Sequence, residues 1–308
     1  MATPWIPRMH LWEIDDQPWF PSFLRGYVQT GLTHAWTTHI PFLQPCSPAT
    51  LVADILRRVL GASVSRRTYI DFCAGAGGPT PFIERALNTQ LGRKAATAPR
   101  AAPSYAAVAD PKVTSDAAVD FVLTDLHPHV ESWKAASSKS DRLTYVAEPV
   151  DAANAPAALL REYAGSGRGI FRLFNLAFHH FDDNLARAIL KNTLETSEGF
   201  GIFELQERSA SGFLTCLLFG FFIFLIAPLL YWWSPLRLFY VYAVPVVPFV
   251  LIFDGLISSL RTRTADEVEA LLRTCGADSS DWEVQSGRER FLWPCGYLNW
   301  VICTKKTT

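Results

Sequence analysis

The sequence lacks an excess of charge of either sign. Lys and Arg number 28 together and Asp and Glu number 29, so the formal net charge at pH 7 is −1. A chain with this balance has no global attraction to polyanions, and we expect no nucleic-acid partner. The N-terminal residues also lack an apolar run behind a basic start, so no secretory signal is expected.

Cysteine pairs at metal-binding spacing are missing as well. The six cysteines are scattered, and none forms a Cys-x-x-Cys pair or has a His partner at the spacing of a zinc site. We therefore expect no bound metal. This distribution favours a reduced, cytosol-facing protein over a disulfide-stabilised secreted one.

Apolar residues, in contrast, are abundant at 49% of the chain, and they concentrate in two runs. Residues 213–233 include no charged residue in 21 positions, and residues 238–253 include none in 16. The first run is long enough to cross a bilayer as a helix. The second is shorter than the hydrocarbon core needs and includes two prolines, which favours a re-entrant or tilted segment.

These runs predict a helical hairpin at residues 212–253 that associates with a membrane, with lipid as a partner. Aromatic residues on both sides of the connection at 234–237 suit the membrane interface. We expect the rest of the chain to face the cytosol, with the endoplasmic reticulum as one candidate membrane. A hairpin buried inside a soluble fold and a dimer interface are alternatives that the sequence leaves open, as it does the oligomeric state.

The most informative segment is 69–78, Tyr-Ile-Asp-Phe-Cys-Ala-Gly-Ala-Gly-Gly. Apolar residues lead into Asp71, a glycine-rich turn follows, and residues 79–91 have the pattern of a helix. A strand, a glycine turn and a helix N-terminus together form a corner in which the backbone can approach a nucleotide closely. Asp71 is placed to order the turn and to reach a ligand ammonium group or a bound water.

Strand-like and helical segments alternate along most of the chain. The predicted strands are 68–73, 119–124, 143–146, 169–175, 201–205, 282–285 and 298–304. The predicted helices outside the apolar runs are 23–35, 49–60, 79–91, 155–163, 184–195 and 265–274. This alternation indicates an α/β fold with a mostly parallel, Rossmann-like sheet and helices on both faces. The Ala/Pro/Ser-rich residues 92–118 predict a solvated loop.

Further polar residues follow the next three predicted strands. Asp125, followed by Leu126, ends the second strand, where a carboxylate can accept hydrogen bonds from ribose hydroxyls. Asp151 and Ala152 follow the third strand, and Asn175 ends the fourth, ahead of Phe178-His179-His180. Each Asp has an ordinary alternative role as a helix cap or a turn residue. A histidine near neutral pKa can accept a proton from a reacting group.

Together these elements resemble, in order and spacing, the motifs of class I S-adenosylmethionine (SAM) methyltransferases over residues 50–211 and 255–308. The resemblance implies a seven-stranded sheet with an antiparallel final pair and SAM as the cofactor. It implies cofactor contacts from Asp71, Cys73, Gly75, Gly77, Asp125, Leu126, Asp151, Ala152, Asn175 and Phe178. His179 and His180 are the candidate catalytic residues, although adjacent histidines are expected to point in different directions. Cys73 departs from the family pattern, because it stands where the first motif glycine is usual.

The predicted organisation has four parts: a cover segment at 1–48, the first part of the SAM-binding core at 49–211, the apolar hairpin at 212–253 and the end of the core at 254–308. Charged residues at the two ends of the hairpin are expected to form solvated collars or to line the substrate mouth; they are Glu204, Glu207, Arg208, Asp254, Arg261 and Arg263. The hairpin leaves the carboxyl end of strand 201–205, the edge at which open α/β sheets bind ligands. We therefore expect it to lie beside the active site.

The resulting functional expectation is a membrane-associated SAM-dependent methyltransferase acting on a hydrophobic small molecule, such as a lipid, a quinone, a terpenoid or another specialised metabolite. Two alternatives remain. In the first, the fold promotes a rearrangement or cyclisation; in the second, the chain is a non-catalytic, membrane-anchored SAM-binding subunit. The sequence does not distinguish oxygen, nitrogen or carbon as the methyl acceptor.

Overall fold

The computed structural model describes residues 4, 6–97, 118–164 and 167–306. Its centre is a seven-stranded sheet with the order β3-β2-β1-β4-β5-β7-β6. The strands are β1 Arg67–Phe72, β2 Phe121–Thr124, β3 Leu143–Tyr145, β4 Gly169–Asn175, β5 Gly199–Glu204, β6 Trp282–Leu292 and β7 Gly296–Lys305. Strands β1 to β5 run parallel, and β7 pairs antiparallel with both β5 and β6. The predicted α/β class, the seven strands and the antiparallel final pair are confirmed.

Ten α-helices accompany the sheet in the described part of the chain. They are α1 Ser22–Thr37, α2 Pro48–Leu60, α3 Thr80–Thr97, α4 Val130–Ser137, α5 Ala157–Ala164, α6 Asp183–Thr196, α7 Ala210–Tyr231, α8 Pro235–Tyr242, α9 Val246–Arg261 and α10 Ala265–Arg273. Apolar residues of α2, α3 and α4 cover one face of the sheet. Those of α5, α6 and α10 cover the other face. The sheet is therefore the middle of three layers.

Local chemistry explains where several of these elements begin. The Ser47 hydroxyl accepts a hydrogen bond from the backbone N–H of Thr50, and Pro48 opens α2. Thr264 and Glu267 form a reciprocal capping box at α10. Such caps satisfy backbone N–H groups that have no partner inside a helix. Strand β6 is longer than predicted because it lies at an edge of the sheet, where exposed polar residues hide the apolar pattern of a strand.

The two apolar runs form three helices rather than a simple two-helix hairpin. Helix α7 spans most of the first run, and a 60° bend separates α8 from α9 in the second. Residues Ile14, Phe20, Leu24 and Val28 of the N-terminal segment share an apolar cluster with these helices. The N-terminal segment therefore packs on the inserted helices as well as on the sheet domain.

Among the described residues, α7 is long and apolar enough to cross a membrane, and the bent α8–α9 pair passes the same test only as one span. One face of α7 packs inward, where Gly220 lies against Ile252 of α9. The opposite face exposes large apolar side chains at least 45% to solvent. These side chains are Leu214, Leu217, Phe221, Leu225 and Leu229.

Some expectations about loops and surface charges were wrong. Helix α3 continues to Thr97, into the predicted loop 92–118, and the rest of that loop lies outside the described residues. The charged collars expected at the ends of the hairpin are buried rather than solvated. They are buried because they are paired within the fold: Glu207 accepts from Arg288 at 2.8 Å, and Arg263 donates to Asp183 at 2.7 Å.

Candidate active site

The carboxyl ends of the neighbouring strands β1 and β4 have unusual backbone geometry. Cys73, directly after β1, has φ 65°, and Leu176, directly after β4, has φ 52°. Residues with a Cβ seldom adopt this left-handed region, and such conformations cluster at functional sites. The same geometry explains why glycine is usual in the family at the position of Cys73.

The glycine loop after β1 is held by side chains from two other elements. The N–H of Gly75 donates to Asp125 Oδ2 at 2.8 Å, and the Gly75 carbonyl accepts from the indole N–H of Trp133 at 2.8 Å. Gly77 has φ 107°, a conformation that L side chains rarely adopt. The structure therefore brings Asp125, 50 residues away, onto the predicted glycine motif.

Asp71 lies at the bottom of this site with 1% of its surface exposed. The Thr80 hydroxyl donates to Asp71 Oδ2, and Asn175 Nδ2 donates to the same hydroxyl oxygen at 3.0 Å. Burial raises the pKa of Asp71 to about 7, against the lowering effect of its hydrogen bonds. The other oxygen of Asp71 and the amide oxygen of Asn175 are buried without a hydrogen-bond partner. Two acceptors therefore lack a donor at this point.

The segments that carry the three predicted strand-end carboxylates are joined by hydrogen bonds. Ala74, three residues after Asp71, donates its N–H to the Thr124 carbonyl at 3.1 Å, and Val150, next to Asp151, donates its N–H to the Asp125 carbonyl at 2.9 Å. Burial raises the pKa of the Cys73 thiol, and the charges of Asp125, Asp71 and Asp151 raise it further. The acidic residues singled out from the sequence thus lie at a common edge of the sheet, with Asp151 exposed to solvent.

The other predicted cofactor residues are placed less uniformly. Leu126 is 51% exposed beside Asp125. Ala152 is buried, and its carbonyl oxygen accepts a hydrogen bond from Arg172 at 3.2 Å. Phe178 is buried, with its ring against Phe174 at a centroid distance of 5.7 Å. It lies in a short 3-10 turn, and its contact with the cofactor stays a prediction.

The paired histidines do not point apart, so that expectation was wrong. In the 3-10 turn their rings lie 4.2 Å apart, centroid to centroid, and tilt by 34°. His179 is 3% exposed, and its Nδ1 lies 2.8 Å from Glu204 Oε2. His180 is more exposed, and its Nδ1 lies 3.3 Å from Asp16 Oδ2. The two rings therefore face one common group of acidic side chains.

Two members of that group, Glu13 and Asp16, come from the N-terminal segment and were missed by the sequence reasoning. Arg261 contacts Glu13 at 3.0 Å and Asp16 at 3.2 Å. Burial alone would lower the pKa of His180, but the Asp16 hydrogen bond and the charges of Glu13 and Asp16 raise it overall. No local signal marks these acids, because their partners lie more than 160 residues away. Trp133 was missed for a similar reason.

An apolar cleft lies beside the histidines at the carboxyl ends of β4 and β5. Its empty space, including open solvent at its mouth, is about 960 Å³, and its walls come from α1, from α7 and α9, and from Leu176 and Leu205. It continues into a polar pocket, which we call the acidic pocket, with about 490 Å³ of empty space that likewise includes open solvent. That pocket is lined by Glu13, Asp15, Asp16, Asp254, His179 and His180, together with apolar and small residues. Leu32, Leu176, Gln206, Leu251 and Gly255 line both spaces.

No protein-family model matches the chain, and no curated protein matches it. Several solved structures share its general architecture at low identity. An O-methyltransferase family protein from Burkholderia thailandensis is 12% identical, with a TM-score of 0.41 over 84% of this chain and 56% of that one. The plantazolicin methyltransferase BpumL in complex with SAH is 13% identical, with a TM-score of 0.42 over 92% and 98%. The DszA carbon methyltransferase is 12% identical, with a TM-score of 0.45 over 84% and 54%.

The chain spans little more than half the length of the first and third of these structures. The seven-stranded mixed sheet, with β7 antiparallel to β5, matches the sheet that the sequence resemblance implies. The chain has the class I methyltransferase fold. The fold that the strand and glycine motifs predicted is therefore confirmed.

Proposed function

We propose that the protein binds SAM and transfers its methyl group to a hydrophobic small molecule, and that it does so in contact with a membrane. The observation that carries the proposal is the meeting of two sites at the end of β4. Asn175 faces Asp71 and Thr80 on one side, and the next residue, Leu176, lines the apolar cleft on the other. Cofactor and acceptor would therefore lie on either side of one short segment.

The residues present fit the cofactor. An ammonium group donates hydrogen bonds, and the unpartnered oxygens of Asp71 and Asn175 are two buried acceptors. Each oxygen of Asp125 accepts one backbone N–H, from Gly75 and from His127, which leaves lone pairs for ribose hydroxyls. SAM, when bound, supplies an electrophilic methyl group on a sulfonium. The protein then has to hold the acceptor in line, exclude water and remove a proton where the acceptor has one.

His179 is the group best placed to take that proton. Its Nδ1 bonds to Glu204, so a proton on Nδ1 leaves the Nε2 lone pair free toward the acidic pocket. His180 lines the same pocket, but the Asp16 hydrogen bond and the charges of Glu13 and Asp16 outweigh burial and raise its pKa, which favours the protonated ring and makes it the poorer base. We therefore assign the base to His179 and a positioning role to His180.

Membrane contact is supported by the exposed face of α7. Leu217, Phe221 and Leu225 lie on one side of the helix, each at least 49% exposed, and a large contiguous apolar patch marks a membrane or protein contact. Helices α7 and α9 also wall the apolar cleft, so an acceptor dissolved in lipid would have a short path to it. A dimer interface through the same face is the competing explanation.

Methyl transfer is tested with radiolabelled SAM and lipid extracts, counting label that enters the organic phase. Ala35→Phe should fill part of the apolar cleft and raise KM for a long-chain acceptor while SAM affinity stays unchanged. Ala35→Ser serves as the matched control of unaltered volume. If SAM binds but no extract from any source accepts label, the chain is a cofactor-binding protein without this activity.

Membrane contact is tested separately by flotation with phospholipid vesicles. The variant Leu217→Gln/Phe221→Gln/Leu225→Gln should lose flotation, whereas Leu185→Gln, an exposed leucine on α6, should not. If the triple variant floats as well as the wild type, the proposal that this face of α7 contacts lipid is wrong. Sedimentation of both variants in detergent-free buffer shows whether a dimer forms instead.

A further inference from the structure

The acidic pocket has a composition that identifies the head group of its ligand. Four carboxylates line it, those of Glu13, Asp15, Asp16 and Asp254, and no Lys or Arg is among its lining residues in the described part of the chain. The adjoining cleft is almost entirely apolar. Building on the proposed function, we propose that the methyl acceptor is a hydrophobic amine, with its ammonium group in the acidic pocket and its apolar body in the cleft.

The cationic side chains nearby only partly balance these carboxylates. Arg261 contacts Glu13 and Asp16, and Arg25 lies 3.8 Å from Asp15. Asp254 is compensated by the backbone N–H groups of Ile14 and Asp15 rather than by a cation. His180 contributes a further positive charge beside Asp16 and Glu13, because its pKa is raised. Glu13 and Asp254 are buried, Asp15 is partly buried and Asp16 is exposed. Four carboxylates with these three cationic partners still attract a positively charged ligand.

Asp15 shows the imbalance most directly. Its Oδ1 is buried without a hydrogen-bond partner, and the Arg25 guanidinium lies 3.8 Å from it, too far to donate a hydrogen bond. Burial raises the pKa of Asp15 to about 7; Arg25 and the Gln29 side chain lower it, and the charges of Asp254 and Asp16 raise it. An ammonium group would supply the close donor that Oδ1 lacks.

His179 gives an independent indication of a hydrogen-bond donor in this pocket. The side chain is more than nine-tenths buried, and Glu204 engages its Nδ1 at 2.8 Å. The nearest carboxylate oxygen to its Nε2, from Glu13, is 3.8 Å away, too far for a hydrogen bond. With the proton on Nδ1, Nε2 carries a lone pair beside Glu13 of the pocket and forms no hydrogen bond with any described residue.

Glu13, His179 and His180 also lie close enough together to suggest a metal site, since their ligand-type atoms fall within 4.8 Å of one another. Two contacts favour the ammonium instead. Arg261 and the Ser258 hydroxyl already use Glu13 Oε1, at 3.0 and 2.9 Å. A guanidinium in contact with a ligand carboxylate repels a divalent cation about twice as strongly as a monovalent ammonium at the same distance.

The chemical step then follows from these positions. His179 Nε2 takes one proton from the ammonium group, and the carboxylates hold the nitrogen in place. The freed nitrogen lone pair forms a bond to the methyl carbon while the carbon–sulfur bond breaks and its electron pair stays on sulfur. The products are a methylated ammonium ion and a neutral thioether, and the proton on His179 leaves to solvent.

The test uses the full chain with labelled SAM and three acceptors of equal chain length, dodecylamine, dodecanol and dodecanoic acid, each below its micelle concentration. We expect label in the amine at a rate at least tenfold above the other two. Preferential labelling of the alcohol or the acid would overturn the amine inference and leave the proposed methyl transfer standing. Labelling of none of the three would overturn the amine inference, and SAM affinity measured in parallel shows whether the proposed function fails with it.

A binding measurement without SAM separates the head-group site from the reaction. Dodecylamine should raise the melting temperature of the wild type, and Asp15→Asn should weaken its binding about tenfold or more, because one charged partner is lost. The control is Asp141→Asn, which removes a carboxylate that is exposed and does not line the acidic pocket. Equal amine binding by Asp15→Asn and the wild type, or loss of amine binding with EDTA and one tightly bound metal per chain, would overturn the assignment.

Discussion

Replacing Asp71 by Asn should stabilise the protein without cofactor and at the same time weaken SAM binding. Asp71 is buried with a pKa raised to about 7, so its ionisation is costly in the folded state. An amide keeps an acceptor for the Thr80 hydroxyl but has no charge to bury. The same loss of charge removes the partner that we assign to the cofactor ammonium.

The stability change can be estimated from the pKa. The unfolded carboxyl ionises near its ordinary pKa of 3.8 and the folded one near 7, so the free energy of unfolding falls as the pH rises between these values and is constant above them. A difference of about 3 pKa units corresponds to about 4 kcal/mol. Above pH 7, Asp71→Asn should therefore raise the free energy of unfolding by up to about 4 kcal/mol, and near pH 4 by little.

In the wild type, bound SAM should offset part of the free-energy cost of ionising the buried Asp71. Only ionised Asp71 pairs with an ammonium, so SAM should bind about tenfold more weakly at pH 5.5 than at pH 7.0, a range in which a free α-amino group stays protonated. Asp71→Asn should lose about 1.5–3 kcal/mol of SAM binding and also lose this pH dependence.

Urea unfolding at pH 4.5 and pH 8, with and without SAM, measures the change in the free energy of unfolding. Calorimetric titration with SAM at pH 5.5 and pH 7.0 measures the pH dependence of SAM binding. Asp141→Asn controls for a general change of charge, since that side chain is exposed. A variant less stable than the wild type at pH 8, or wild-type SAM affinity independent of pH, would refute the reasoning.

Three further predictions concern the backbone of the site and the inserted helices. Cys73→Gly should change stability by less than about 1 kcal/mol, since relief of the left-handed strain offsets lost packing, whereas Cys73→Val should cost about 2–3 kcal/mol in urea unfolding. Gly212→Ala should lower the free energy of unfolding by about 1–3 kcal/mol, because the new Cβ would overlap a backbone carbonyl oxygen. Gly26→Ala, in open space on α1, should raise it by about 0.5–1 kcal/mol. Trp133→Phe should weaken SAM binding several-fold in calorimetry by freeing the Gly75 carbonyl, with a stability loss of about 1 kcal/mol; unchanged affinity would separate Trp133 from the site.

The sequence by itself determined the features that depend on neighbouring residues. The apolar approach to Asp71 and the glycine turn predicted β1 and the start of α3, because strand, turn and helix preferences act within a few residues. The length of the uncharged run predicted α7 for the same reason. The predicted ends of the parallel strands also placed Asp125 and Asn175 at one edge of the sheet.

Only the tertiary structure decided which distant side chains meet. Glu13 lies against His179 and Arg261 because the N-terminal segment packs on α9, and nothing in its local sequence indicates that contact. The turn that buries Phe178 and brings the two histidine rings together likewise depends on the core beneath it. Pairing between residues far apart in the chain is set by packing of whole elements, which no local pattern encodes.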